Sequence, residues 1–463
     1  MRRMGIGLGI GINRSNYAQG IFGAYQSRVI ADGGVTEAGG CVDAVSSLLQ
    51  SASLLLIPSG YKGGKAYAQI PTNGNGDLTW TRASDANRTN SSGNIELMAS
   101  GVPRLSYMHG SCPALLLEPQ RTNLALQSES FDNASWVKSN STVTANSTTS
   151  PDGTTNADTL ITTNSLNFHR LSQNTTISAL TNYTYTIFAK QNSSSLIQIA
   201  LNTGFTSTPS LSPYANFNLS TGVVSQSGNG ATASIQSVGN GWYRCVITAT
   251  SLIGISAGQI NIVQINSTTA PPFQSWQGTG EESVFIYGSQ VEAGAYPTTY
   301  IPTTTASATR VADSFSRNNI FTNGLITSSG GTWFMELRGN VAYTRDAFGA
   351  GIYISDTTNL TSNNINIRNG GGGAVRLAIN KVISGVSTAL YLTTTDTVKL
   401  AIKWNGTTAD IFANGTKVIS ATSFTPTNME FLRGEQGVPA FIQQMALYPT
   451  PLSDTDCTTI TTL

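Results

Sequence analysis

The chain is 463 residues long and 39% apolar, enough for about three domains with ordinary cores. Only 11% of its residues are charged and the formal net charge is +1, against roughly 25% charged residues in an average soluble domain. That balance excludes an electrostatic case for nucleic acid or an anionic membrane surface, because there is no basic stripe to release counterions.

Ser, Thr, Asn, Gln and Gly take the place of charge. Disorder goes with high net charge and few aromatics, whereas this chain carries 16 Tyr, 16 Phe and 6 Trp; a folded protein is expected. Cys41, Cys112, Cys245 and Cys457 are scattered without metal or redox spacing, and His109 and His169 stand far apart. No metal site, cofactor or histidine-based charge relay is therefore expected.

In chain order, Met1-Arg-Arg-Met-Gly-Ile-Gly-Leu-Gly-Ile-Gly-Ile-Asn13 mimics a signal peptide. Glycine at every second position interrupts its apolar run, and no small-x-small cleavage site follows. An unprocessed chain made in the cytoplasm is expected. No segment approaches the ~20 apolar residues of a membrane span. The alternating glycines follow no strand, so they fail the context test for a phosphate cradle and read as an extended arm. Thr36 is placed to cap a helix from Glu37 to about Leu55, with Ala38, Cys41, Val45, Leu48, Leu49 and Ala52 on one face, weakened by Gly39-Gly40. Residues 1–72 thus read as an attachment or assembly region containing one helix.

Residues 73–125 read as a short β connector with strands at 78–82, 95–98, 103–107 and 114–117, bounded by Gly, Asn, Ser and Pro. From 126 to 308, alternating runs separated by polar turns predict a two-sheet sandwich. Tyr183, Tyr185, Ile187 and Ala189 share one strand face; Tyr243, Cys245 and Ile247 share another. Residues 309–463 predict a second sandwich. There Val398, Leu400, Ile402 and Trp404 point inward, Lys399 and Lys403 outward, and turns at Asn405-Gly406 and Asn414-Gly415 make a three-strand meander. The fold class expected is mainly β: tandem antiparallel β-sandwiches of jelly-roll type behind a small N-terminal region.

Three stretches resemble tailed-phage structural proteins. Trp80-Thr-Arg-Ala-Ser84, Pro103-Arg104, Tyr107 and Leu115 through Leu124 look like the segment that leads into phage tail and fibre sandwiches. Ser130 through Trp136, Pro151 through Asp158, Tyr214 through Gly222, Gly241-Trp-Tyr-Arg-Cys245, Ile286 through Gly294 and Pro297 through Pro302 are similar to the carbohydrate-binding-module-like jelly roll of such proteins. Val398 through Val418, Phe441 through Tyr448 and Leu452-Ser-Asp454 resemble a concanavalin-like, laminin-G-type sandwich. The resemblance implies a virion-surface fibre, spike or decoration protein facing host-surface or mucosal glycans. It implies virion partners bound through the N-terminal region, and a homo-oligomer, by analogy with fibres a trimer.

Sugar recognition needs an aromatic face for the apolar side of a pyranose and amides or carboxylates for its hydroxyls. Pro271-Pro-Phe-Gln-Ser-Trp-Gln-Gly278 supplies both in a turn-rich connection, which makes Phe273, Trp276, Gln274 and Gln277 the candidate ligand-binding residues. Trp242, Tyr243 and Trp404 read as core, Trp136 and Tyr214 as intermediate, and His169-Arg170 as a solvated pair. No catalytic residues are expected. Adjacent Glu281 and Glu282 would face opposite sides of a strand, Glu430 and Glu435 flank a turn, Glu336 stands alone, and Asp152, Asp313 and Asp410 read as turn or edge residues. Paired carboxylates across a scissile bond are not evident. The alternatives are a purely architectural head, collar or tail component and, third, a polysaccharide depolymerase.

Overall fold

Strands dominate because β-branched and aromatic residues alternate with small polar ones over most of the chain. The structure, a computed structural model, describes residues 14–37, 41, 46–327, 329–338, 351–356, 364–371, 374–381, 386–393, 397–424, 429–434 and 440–462. The arm at residues 1–13 and Glu435 lie outside them. Every pairing among the named strands is antiparallel.

The middle of the chain forms two six-stranded sheets face to face. One runs in the order Val137–Ser139, His169–Thr176, Ala257–Gln264, Leu196–Asn202, Tyr214–Asn218, Val223–Gly228. The other runs Ser141–Thr148, Ala157–Thr162, Ser283–Ala293, Asn182–Gln191, Trp242–Thr250, Thr232–Gly239. Their inner faces meet in one core that holds Tyr183, Tyr185, Ile187, Ala189, Cys245 and Ile247, as the period-two reading expects, opposite Leu171, Ile197, Ile199, Phe217, Ile260 and Ile262. Trp136 belongs to this core as well. Trp242 is buried but faces the other way, in an outer cluster with Phe188, Tyr287 and Tyr300.

The second sandwich pairs a ten-stranded with an eight-stranded sheet. Its core holds Trp333, Met335, Val398, Leu400, Ile402 and Trp404 against Trp80, Phe315, Ile352, Ile354 and Leu432. The meander of Thr397–Trp404, Thr408–Ala413 and Thr416–Ser423 forms one end of the eight-stranded sheet. At its second turn Asn414 and Gly415 both adopt positive φ, 45° and 80°, the backbone that a two-residue hairpin of this hand requires.

The strands expected as a separate connector are built into this second sandwich. Leu78–Thr81 pairs with Ser314–Asn318, and Ala114–Leu117 pairs with Ala440–Tyr448. The chain then enters the middle sandwich at Arg121–Asn123 and leaves it at Ala308–Arg310, and these two segments pair with each other. The middle sandwich is thus inserted through a two-stranded neck.

The helix expected from Glu37 to Leu55 is not formed over its described residues. Only one turn, α2 at Ser47–Gln50, is helical there, capped by Ser46. Leu54–Leu56 is instead a strand on Ala440–Tyr448. A continuous apolar run suits a sheet covered on both faces: Leu54 and Leu56 enter the main core, and Leu55 enters a second layer. That layer joins Tyr25 and Val29 of α1 (Arg14–Ala31), Leu49, and Cys457 and Ile460 of α3 (Asp454–Thr461) to Phe334, Ala401, Phe412 and Ala446 of the sheet. The N-terminal helix therefore lies upstream of where the cap and spacing put it. Gly20 and Gly23 break the apolar face that would have marked it.

Cys41 and Cys112 form a disulfide with Cα atoms 5.6 Å apart; a separation of 71 residues hides it from spacing arguments. No described helix is long and apolar enough to cross a membrane.

Candidate functional site

Strand alternation turns a second set of residues outward from the first six-stranded sheet. The register aligns them in rows: Arg170, Val263, Gln198, Asn216 and Gln226, then Ser172, Asn261, Ala200, Tyr214 and Gly228. Four of these ten side chains are amides. Tyr214 lies over Gly228, where a Cβ would come within 2.8 Å of the tyrosine ring.

The loop singled out in the sequence folds across this face and is pinned by two of the amides. Asn216 Nδ2 donates to the carbonyls of Thr268 at 3.1 Å and Ala270 at 2.8 Å. Gln198 Nε2 donates to Pro271 O at 3.2 Å, and its Oε1 accepts from the Phe273 N–H at 3.1 Å. Phe273 has φ of +56°, a left-handed conformation that costs a non-glycine residue about 1 kcal/mol, so tertiary contacts hold it there. Its half-exposed ring sits 5.4 Å from the Arg170 guanidinium carbon, and the Phe168 ring sits 4.8 Å from the same atom. Arg170 Nη1 donates to Asn261 Oδ1 at 3.2 Å.

Of the four candidate residues, Phe273 reaches this group and Trp276 does not. Trp276 is 8% exposed, pairs with Asn167, and donates from Nε1 to Gln264 O at 3.1 Å. Its ring packs edge-on to His169 with centroids 4.9 Å apart, so it closes the end of the sandwich instead of offering an open face. Gln277 is exposed and donates to Asn164 Oδ1 at 3.0 Å. Gln274 is half-exposed and its Oε1 is buried without a donor. His169-Arg170 is not a solvated pair. His169 is buried, with Nδ1 2.6 Å from Asn140 O, and Arg170 is half-buried between two rings. Phe168 and Arg170, two residues apart, were the available signal, since period two puts both on one face.

A concavity of about 220 Å³ lies elsewhere, between the hairpin of Ala86–Thr89 and Ile95–Met98 and the outer face of the other six-stranded sheet. Ile95, Tyr107, Phe188, Gln236, Arg244 and Tyr300 line it. The arginine from the hairpin, Arg88, is held by Glu37 and Glu96, each at 2.8 Å.

Most carboxylates weighed for catalysis are occupied structurally. Glu282 accepts from Thr162 and Thr279, Glu430 from Thr322, and Glu336 from Arg338. Asp313 is buried among arginines and is not a turn or edge residue. One pair escaped sequence reading: Glu129 and Asp152 each lie 3.0 Å from the Tyr287 hydroxyl. Burial raises the Glu129 carboxyl. Burial also works to raise Asp152, but hydrogen bonds from Ser150, Thr154 and Asn156 bring it down. Among the described residues no group of three or more His, Cys, Asp or Glu is placed to hold a metal ion.

No family model matches the chain, and no curated protein matches its sequence. Among solved structures, it is similar to the carbohydrate-binding module CBM40 of the Ruminococcus gnavus IT-sialidase. The form bound to alpha2,3 sialyllactose matches at 15% identity with a TM-score of 0.22, covering 29% of this chain and 83% of that one. A second structure of that module matches at 14% identity with the same coverage and TM-score.

Proposed function

We propose that this chain is a non-catalytic glycan-binding protein of a tailed-phage particle surface, and that the middle sandwich carries the binding face. One observation carries the glycan reading: Phe273 is half-exposed beside the half-exposed Gln274 and the exposed Gln277, on a loop held in place by the buried amides Gln198 and Asn216. An aromatic wall ringed by amides is the chemistry that pyranose recognition calls for. The particle location rests on the three resembling stretches. In this reading the N-terminal region engages other virion proteins, and identical copies of the chain multiply weak sites through effective concentration.

The test is a glycan array probed with the full chain. A fragment from residue 126 onward would lack Leu54–Leu56 and Ala114–Leu117, both paired within the second sandwich. Phe273→Ala is expected to weaken glycan retention about tenfold with a small loss of melting temperature, since part of the ring packs on Val263, Ile265 and Ala270. Trp276→Ala is expected instead to destabilise the fold by about 3–5 kcal/mol. If the wild-type chain retains no glycan, the architectural reading replaces this one.

A further inference from the structure

We infer that Arg170 is an anion subsite on this face and that the ligand is a saccharide bearing a carboxylate, such as a uronic acid. The inference rests on the glycan-binding reading above and adds the class of sugar.

Arg170 differs from five arginines withdrawn from solvent in the N-terminal layer, the hairpin and the neck. Arg28, Arg82, Arg88, Arg104 and Arg310 each meet a carboxylate within 3.0 Å or less. Among the described residues Arg170, like Arg317 and Arg433, meets none: its hydrogen bonding is confined to Nη1 and the neutral Asn261, and its Nε, like that of Arg28, Arg104 and Arg310, is buried without an acceptor. Burial alone pushes its guanidinium pKa down, with no acidic neighbour opposing. Removing a cation from water is costly unless it is paired. The rings of Phe168 and Phe273 offset part of that cost, at about 0.5–2 kcal/mol each, and leave the charge uncompensated.

The geometry also selects the shape of the missing partner. Two rings against one guanidinium fix its position, and Asn261 anchors one corner. What remains is the Nε–Nη2 edge, a planar donor fork that matches a carboxylate bidentately. Because the fork is already held, little side-chain entropy is lost on binding. A sugar ring stacking on the open side of Phe273 brings its carboxylate to this edge of the guanidinium, with Gln274 beside it. The cavity beside Arg88 lacks this chemistry on its hairpin side, since Glu37 and Glu96 already neutralise that arginine.

The experiment probes the full chain with an array of carboxylated oligosaccharides, uronates among them, beside the methyl esters of the same compounds. The acids are expected to bind at least about tenfold tighter than their esters, with the gap narrowing as salt rises. Arg170→Gln, checked by its melting temperature, is expected to erase the gap between acid and ester. The wild-type comparison of acid with ester stands even if that variant fails to fold. Equal binding of acid and ester would remove the anion subsite and leave the glycan reading intact. Silence across the whole array would remove both.

Discussion

Arg82 and Asp313 are 231 residues apart in sequence, yet Arg82 Nη1 donates to Asp313 Oδ1 at 3.0 Å, and both side chains are fully buried. Arg104 pairs with the other oxygen of Asp313 and donates to Glu118 at 2.7 Å; Glu118 in turn lies 3.0 Å from Arg310. These five groups sit at the base of the neck, where the inserted sandwich leaves and rejoins its host. Three cations against two anions, all buried, hold only while every partner is present. Asp313→Ala strands Arg82 and Arg104 in a dry site. Its expected cost is about 3–5 kcal/mol, measured by urea unfolding. A loss below about 1 kcal/mol would mean that water reaches the cluster.

The same cluster gives stability a pH dependence of known sign. Burial acts to raise the Glu118 carboxyl, but Arg310 and Arg104, with a hydrogen bond from Thr299, bring it from its ordinary 4.5 down to about 2. A carboxyl lowered on folding stabilises the native state above its unfolded value, and that contribution is lost as pH falls through the folded one. Stability should therefore drop between about pH 4.5 and 2, by on the order of 3 kcal/mol from this group. Glu118→Gln should flatten that part of the profile, followed by unfolding at a series of pH values. An unchanged slope in the variant would assign the acid sensitivity to other groups.

The disulfide predicts a thiol count. Denatured but unreduced protein should react with a thiol reagent at Cys245 and Cys457 only, both of which are buried and free in the native state. Closing a loop of 71 residues stabilises by about 4 kcal/mol in the chain-entropy account. Reduction, or Cys41→Ser, should lower the unfolding free energy by that order. Four reactive thiols before reduction would show that the bond does not form.

What was legible in the sequence follows from which interactions are local. The strand faces of Tyr183–Ala189 and Val398–Trp404 could be read because one sheet face meets a core and the other meets something more polar, so alternation survives. Leu54-Leu55-Leu56 could not be read that way, because at this strand the outer face of the sheet is also buried, under the second layer that Leu55 enters, and alternation vanishes. The neck was hidden for a different reason. Arg82, Arg104, Glu118, Arg310 and Asp313 have ordinary local contexts, and it takes the pairings of Thr81 with Ser314 and of Arg121 with Arg310 to bring them together. At the candidate site, composition found the right loop but could not tell Phe273 from Trp276. That distinction depends on the register between Asn167 and Trp276, which turns the indole inward and leaves the phenyl ring by Arg170.

Tyr287 offers a last test, of whether Glu129 and Asp152 form a structural pair held by a shared donor. Its hydroxyl lies 3.0 Å from each carboxylate and can donate its one proton to either. Burial raises the Glu129 carboxyl, and Tyr287 opposes that shift. Tyr287→Phe removes that hydrogen bond and leaves Tyr300 as the opposing donor to Glu129, so Glu129 should hold its proton to higher pH. A carboxyl raised on folding destabilises the native state as pH climbs from its unfolded value through its folded one. The variant should accordingly lie close to wild type near pH 4 and fall behind at pH 8, by about 1–3 kcal/mol. Thermal melts at the two pH values measure the difference. A deficit that is equal at both would mean that the hydroxyl acts through packing alone, with no charge to settle.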